Sequence, residues 1–216
     1  MVRCTYFLDV LSQWCFIADQ ALQKARFLHG NDIDVEYAFV PIAGDGPLPV
    51  TREEQLRVYR RSRMISGIET QAWIEPAAQA CTWEANAATL AAAKLGVDLE
   101  AVRMRVARAA LIDGLPLGSP GRAAEFVSEA FGIDSADLRR MIGGSELRHE
   151  MARSEKLFVD LRLKVRPSFV LRNSIDDHIV LGGQHSFEVL NNCIGSLVAD
   201  DNAYEHFEKH GALFHD

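Results

Sequence analysis

The rhythm of apolar and polar positions changes several times along this chain, and each change marks a boundary. Tyr6 to Val10 is a short apolar run with a β-branched end, which predicts a buried strand. From Ser12 the period becomes helical. Ile17, Ala21, Leu22, Ala25 and Leu28 recur on one face, with Lys24 and Arg26 towards the C-terminal end, where cations suit the helix dipole. Gly30-Asn31-Asp32 closes that helix. Ile33, Val35, Tyr37 and Phe39 then alternate with Asp34, Glu36, Ala38 and Val40, a second strand. A β-α-β unit of this length implies a parallel pair joined by a right-handed crossover. The Gly- and Pro-dense stretch from Pro41 to Pro49 reads as punctuation.

From about Thr51 to Lys164 the pattern is helical. Trp83 to Leu95 is alanine-rich and stops at Gly96; Asp98 caps a helix whose apolar face is Leu99, Val102, Val106 and Ala110. Ser119-Pro120 predicts a cap followed by proline at the first helical position, with Gly132 as the end. Asp134 opens a short helix ending at Gly143, and Ser145 to Leu161 is another. Strand signals return with Val165 to Leu171, a turn at 173–177, and His178 to Leu181. Phe187 to Ala199 is a last amphipathic helix capped by Ser186. Helices between two sheet-forming ends predict an α/β fold with a helical insertion: residues 1–45 and 164–200 form the sheet unit, 46–163 the insertion and 201–216 a tail.

A chain of 216 residues, 48% hydrophobic, is long enough to bury one substantial core. A net charge of −7 argues against a general nucleic-acid surface. No stretch approaches the roughly 20 apolar residues that span a bilayer, and the N-terminus carries no secretory pattern, so the expectation is a cytoplasmic protein with no membrane or nucleic-acid partner. Cys4, Cys15, Cys81 and Cys193 form no C-x-x-C pair and no zinc spacing; Cys4, Cys81 and Cys193 are read as small buried hydrophobes. No metal site is expected. His206 and His210 share a helix face, and they and His215 lack the further ligands that would complete one. Arg57, Arg60, Arg61 and Arg63 read as a solvated face, with a carboxylate clamp as the functional alternative; Arg103, Arg105 and Arg108 read as a wet helix face. Trp73, Trp83 and Tyr59 are packing residues or the walls of an apolar pocket.

The candidate chemistry lies where the first strand meets the first helix. Ser12 is placed as N-cap, and the free N–H groups there would stabilise a thiolate. By itself Ser12 reads equally as a cap or as a functional hydroxyl. The segment Asp9-Val10-Leu11-Ser12-Gln13-Trp14-Cys15-Phe16 resembles the active-site segment of the DsbA family of thioredoxin-fold proteins: Asp9, Trp14 and Cys15 match, Ser12 stands for the first cysteine and Gln13 for proline. A serine at that position is similar to the kappa-class glutathione transferases and 2-hydroxychromene-2-carboxylate isomerases, in which it holds the glutathione sulfur. Arg166-Pro167-Ser168-Phe169 likewise resembles the signature that presents a cis-proline beside the active helix.

The resemblance implies a thioredoxin fold with a large inserted helical domain. It implies catalytic roles for Ser12 and Cys15, and contacts to glutathione or substrate from Trp14, Arg166, Pro167 and Ser168. A dithiol–disulfide cycle needs an attacking and a resolving thiol, which Ser-x-x-Cys alone does not provide. The chemistry left is one-thiol work by Cys15, or activation of a bound glutathione thiol by Ser12. The partners expected are therefore glutathione or another small thiol with an electrophile, or an extended peptide on a redox-dead scaffold. A homodimer stays open.

Overall fold

The computed structural model describes residues 1–74 and 80–211, the side chain of His210 aside. Its centre is a four-stranded sheet in the order β2-β1-β3-β4. Strand β1 (Val2–Leu8) pairs in parallel with β2 (Ile33–Phe39), from Val2 opposite Ile33 to Leu8 opposite Phe39. Helix α1 (Gln13–His29) is the crossover between them. On its other edge β1 runs antiparallel to β3 (Ser168–Arg172), and β3 to β4 (His178–Gly182). Two predicted strands shift. The first lies at 2–8 because Asp9 and Val10 leave the ladder: the Asp9 carbonyl accepts the Ser12 N–H at 3.0 Å, a turn into the helix. The third starts at Ser168, just past Pro167, which has no N–H to give a ladder.

Tyr6, fully buried, stacks on its register partner Phe169 with centroids 4.6 Å apart. Adjacent on the strand, Phe7 points to the opposite face and meets Phe158 of α7 (Ser145–Asp160) at 5.7 Å. Each such burial contributes about 1.5–3 kcal/mol. The alternation of these aromatics thus fixes which helices cover which face.

Between the two halves of the sheet run α2 (Arg52–Ser66), α3 (Trp83–Lys94), α4 (Leu99–Leu111), α5 (Arg122–Phe131), α6 (Ser135–Gly143) and α7. Helix α3 is central, packing on α4, α5, α6 and α7, and its alanines 85, 87, 88, 91 and 92 are fully buried. Small side chains let four neighbours approach one axis. The caps at Asp98, Asp134 and Ser186 form as the sequence predicts. Helix α5 instead starts at Arg122, after Gly121 at φ +79°, so Ser119-Pro120 precedes it by a turn.

Helix α8 (Phe187–His210) runs past the predicted end at Ala199 and takes in residues 201–210 of the expected tail. Asp201, turned inwards, accepts from the N-terminal ammonium at 2.8 Å and from the Ser174 hydroxyl at 2.6 Å, which holds the extra turns against the sheet end. His215 and the side chain of His210 lie outside the described residues. Among the described residues, no group of three or more His, Cys, Asp or Glu side chains could hold a metal, and no helix is long and apolar enough to cross a membrane. Cys4 and Cys15 are buried, but Cys81, in the segment before α3, and Cys193, on α8, are half-buried.

The largest departure is Arg103, only 1% exposed. Its Nη1 donates to Asp19 Oδ2 at 2.6 Å, its Nη2 to Glu100 Oε1 at 2.8 Å, and the guanidinium sits 4.7 Å from the Tyr37 ring centroid. Of the three arginines read as a wet face, Arg105 and Arg108 are exposed as expected, whereas Arg103 turns in where α4 meets α1 and β2.

Candidate active site

Leaving β1, the chain makes a turn fastened from several sides. Asp9 is fully buried; its Oδ1 accepts the Leu11 N–H and its Oδ2 the Ile42 N–H, both at 2.8 Å. Burial pushes the Asp9 carboxyl up, against these hydrogen bonds and those from Thr82 and Asn86. Val10 N–H donates to Asn86 Oδ1 at 2.9 Å, and Trp73 Nε1 to the Leu11 carbonyl at 3.1 Å. The turn delivers Ser12, 6% exposed, to the head of α1 as its N-cap, where Oγ accepts the Cys15 N–H at 3.4 Å. The N–H groups of Gln13 and Trp14, orphans of the first helical turn, have no partner among the described residues.

Cys15 is one turn behind Ser12 and 2% exposed. Burial pushes its thiol up to about 12, and a hydrogen bond with Ser12 offsets only part of that rise. At neutral pH this sulfur is a protonated, enclosed thiol. Tyr6 reinforces the enclosure by donating its hydroxyl to the Cys15 carbonyl at 2.9 Å.

Ser12 and Trp14 border a cavity of about 500 Å³. Its walls come from the 42–50 loop, from Gln55, Val58 and Tyr59 of α2, and from Trp73. Tyr59 and Trp73 are thus pocket walls, as one sequence reading had it. Trp83 is not; it lies 4.6 Å under the Arg148 guanidinium beside a separate cavity of about 290 Å³. Sequence reasoning missed the loop. Its signal was the apolar content of Pro47-Leu48-Pro49-Val50, which a purely solvated turn does not need. The arginines at 57, 60, 61 and 63 are exposed and do not line the cavity.

The second predicted group is not among the residues that line this cavity. The Arg166–Pro167 bond is cis. Arg166 is half-buried, its guanidinium 4.6 Å from the Phe158 ring centroid, and its Nε has no partner among the described residues. Burial pulls its pKa down, opposed chiefly by the field of Asp9. The Pro167 carbonyl accepts the Gly183 N–H at 2.8 Å. Ser168 is fully buried, and its hydroxyl donates to the Val165 carbonyl at 2.7 Å, so that side chain is spent inside the fold. None of the three lines the cavity at Ser12.

The model of the DSBA-like thioredoxin domain matches residues 4–195. Among curated proteins none matches. Solved structures that resemble this one include the cytosolic disulfide reductase DsbM from Pseudomonas aeruginosa, at TM-score 0.69 and 20% identity over 95% of this chain and 99% of that one. The same reductase with GSH superposes at 0.67, 19% identical over 94% and 99%. A 2-hydroxychromene-2-carboxylate isomerase follows at 0.65 and 14% identity, covering 94% and 98%. At these identities the likeness is one of fold. The family match spans nearly the whole chain, from the first strand to the last helix, and this protein therefore belongs to the DSBA-like thioredoxin domain family.

Proposed function

We propose that this chain is a glutathione-dependent enzyme in which Ser12 serves a sulfur brought by the ligand. The observation that carries this reading is the contrast at the head of α1. Ser12 borders the cavity, whereas Cys15 is enclosed with its thiol pushed to about 12. That its structural relatives are oxidoreductases or isomerases supports an enzyme, and the DsbM structure with GSH supports this choice of thiol. The cytoplasm, where glutathione keeps thiols reduced, is the compartment this implies.

The residues present fit a peptide thiol. Gln13 Oε1 beside Ser12 is a buried acceptor without a partner, and Arg166 Nε a buried donor without one. The backbone N–H and C=O of Arg166 are also unpaired among the described residues. Glutathione offers amide donors, amide acceptors and carboxylates to such groups, and when bound it would supply the reacting sulfur. Ser12 then donates its hydroxyl to that sulfur, and the free N–H groups of Gln13 and Trp14 add the positive end of the helix dipole. Both favour the thiolate over the thiol. The 42–50 loop, Tyr59 and Trp73 shape the room beside Ser12 for a second reactant.

The test is a set of four proteins: parent, Ser12→Ala, Cys15→Ser and Ser12→Cys, each assayed for glutathione conjugation or isomerisation and for insulin reduction. Removing a donor aimed at developing charge typically costs about 2.7–4 kcal/mol, so Ser12→Ala should lose roughly 100- to 1,000-fold in turnover. Loss of the cap alone costs around 0.5–2 kcal/mol of stability, which a thermal melt separates from the kinetic effect. Cys15→Ser should retain most activity. Abolition of activity by Cys15→Ser, with Ser12→Ala harmless, would overturn the mechanism. A second reading, an extended-peptide binder, rests on the unpaired backbone of Arg166; peptide binding indifferent to added thiol would favour it.

A further inference from the structure

The cavity beside Ser12 has a particular polarity. Among the described residues one charged side chain lines it, Glu54, whose carboxylate accepts the Thr51 N–H at 2.7 Å in the capping box of α2. No cation lines it among the described residues, so a carboxylate bound there would be partly desolvated, unpaired and near a like charge. The remaining walls are proline, aliphatic and aromatic groups, with three other polar exceptions at Ser12, Gln13 and the Gln55–Tyr59 pair.

That pair fixes a proton. Gln55 Oε1 accepts the Ile74 N–H at 3.2 Å, so the amide is oriented and its Nε2 must be what donates to the Tyr59 oxygen at 2.9 Å. With its oxygen accepting, Tyr59 has its own proton left, and that proton has no acceptor among the described residues. Tyr59 is 7% exposed and lines the cavity. Burial pushes its pKa above the ordinary phenol value, so the hydroxyl stays a donor at any physiological pH.

We infer that the second reactant is an uncharged, apolar electrophile with a carbonyl acceptor, an enone or quinone, and that the Tyr59 hydroxyl donates a hydrogen bond to that carbonyl oxygen. The inference rests on the glutathione reading above. The step balances as an addition. The thiol releases its proton to solvent, a sulfur–carbon bond forms at the β-carbon as the C=C π bond breaks, its electron pair moves towards the carbonyl oxygen facing Tyr59, and a proton taken back from solvent ends on the α-carbon while Tyr59 keeps its own. The hydrogen bond strengthens as charge gathers on that oxygen, so Tyr59 acts on the rate as well as on binding.

The test uses the full chain without glutathione and two probes of similar size: 4-phenyl-3-buten-2-one, a neutral enone, and cinnamate, its carboxylate counterpart. Calorimetry should show cinnamate binding weaker by about tenfold or more, the penalty of an unpaired, partly desolvated charge. Isotope-edited infrared spectra of the carbonyl-labelled enone should show its C=O stretch lowered in the parent and in Ser12→Ala. The shift should vanish in Tyr59→Phe, with affinity reduced roughly two- to tenfold. Equal or better binding of cinnamate overturns the inference. So does an unshifted stretch in the parent, a result available even if Tyr59→Phe does not fold, and so does a shift lost with Ser12 rather than with Tyr59. Glutathione is then added. Tyr59-dependent binding without acceleration of the addition sinks the glutathione reading and leaves the Tyr59 contact standing, whereas acceleration on an enone whose stretch ignores Tyr59 does the reverse.

Discussion

Replacing Arg103 by methionine should be among the costliest single changes outside the site. The guanidinium is 1% exposed and Asp19 is 2% exposed, so the substitution leaves a carboxylate buried with no cation. Breaking one side of a buried pair typically costs about 3–5 kcal/mol, a large part of the 5–15 kcal/mol that holds a domain together. Burial lifts Asp19 to about 6 from 3.8, against the pull of Arg103 beside it. The sign follows from proton counting: between these values the folded state binds the proton and the unfolded state does not, so the Asp19 contribution to stability falls as pH rises through about 4 to 6. Without Arg103 the folded value climbs further and the window widens upwards, each unit adding about 1.4 kcal/mol. Urea unfolding followed by circular dichroism at pH 8 and pH 5 reads this directly. The variant should lose about 3–5 kcal/mol at pH 8 and distinctly less at pH 5, where the orphaned Asp19 takes up a proton. A loss under about 1 kcal/mol at pH 8, or one that ignores pH, would refute the reasoning.

Cys15 should resist a bulky maleimide in the native state at pH 7.5, being 2% exposed and raised to about 12; rapid labelling of that residue, read by mass spectrometry, would restore it as nucleophile. Gly118→Ala should cost about 1–3 kcal/mol or more in a thermal melt, because the new Cβ would meet Trp73 Cζ3 at 2.2 Å in a fully packed ring. The same variant should bind the neutral enone more weakly, since Trp73 is a cavity wall. Ser12→Cys should raise insulin reduction well above that of the parent, by placing a second thiol at the head of α1; no rise in a folded variant would mean that Cys15 is too enclosed to resolve a mixed disulfide.

What the sequence disclosed and what it withheld divide along physical lines. The turn from Asp9 to Cys15 was legible because strand, cap and helix signals are local and sit within eight residues. The Arg166-Pro167 motif was legible for the same reason. Arg103 was not, because its partner Asp19 is 84 residues away and nothing in α4 distinguishes an arginine facing another helix from one facing water. The cavity was half legible: Tyr59 and Trp73 announce apolar walls, but a Gly- and Pro-rich loop signals only that regular structure stops. Ser168 misled differently, since matching a motif says which backbone is presented, not where a hydroxyl is spent. The end of α8 was hidden because its last turns are held by Asp201 on the N-terminal ammonium and Ser174, not by an apolar stripe.

The fastening of the turn after β1 bears on modularity. Val10 N–H donates to Asn86 Oδ1 of α3, the Leu11 carbonyl accepts from the Trp73 indole N–H, and the Asp9 carboxylate accepts from the Ile42 N–H in the loop before α2. Excising residues 46–163 to obtain a minimal thioredoxin would therefore strip the reactive corner of two of its three anchors, leaving a buried donor and a buried acceptor without partners at about 1–3 kcal/mol each. Sequence grafting fails for the same reason: Ser-Gln-Trp-Cys moved to another scaffold carries the letters but not the clamps that aim them. In this lineage the helical insertion is not cargo carried by an autonomous catalytic module, and loops there are the places where selection or engineering can retune the site without touching Ser12.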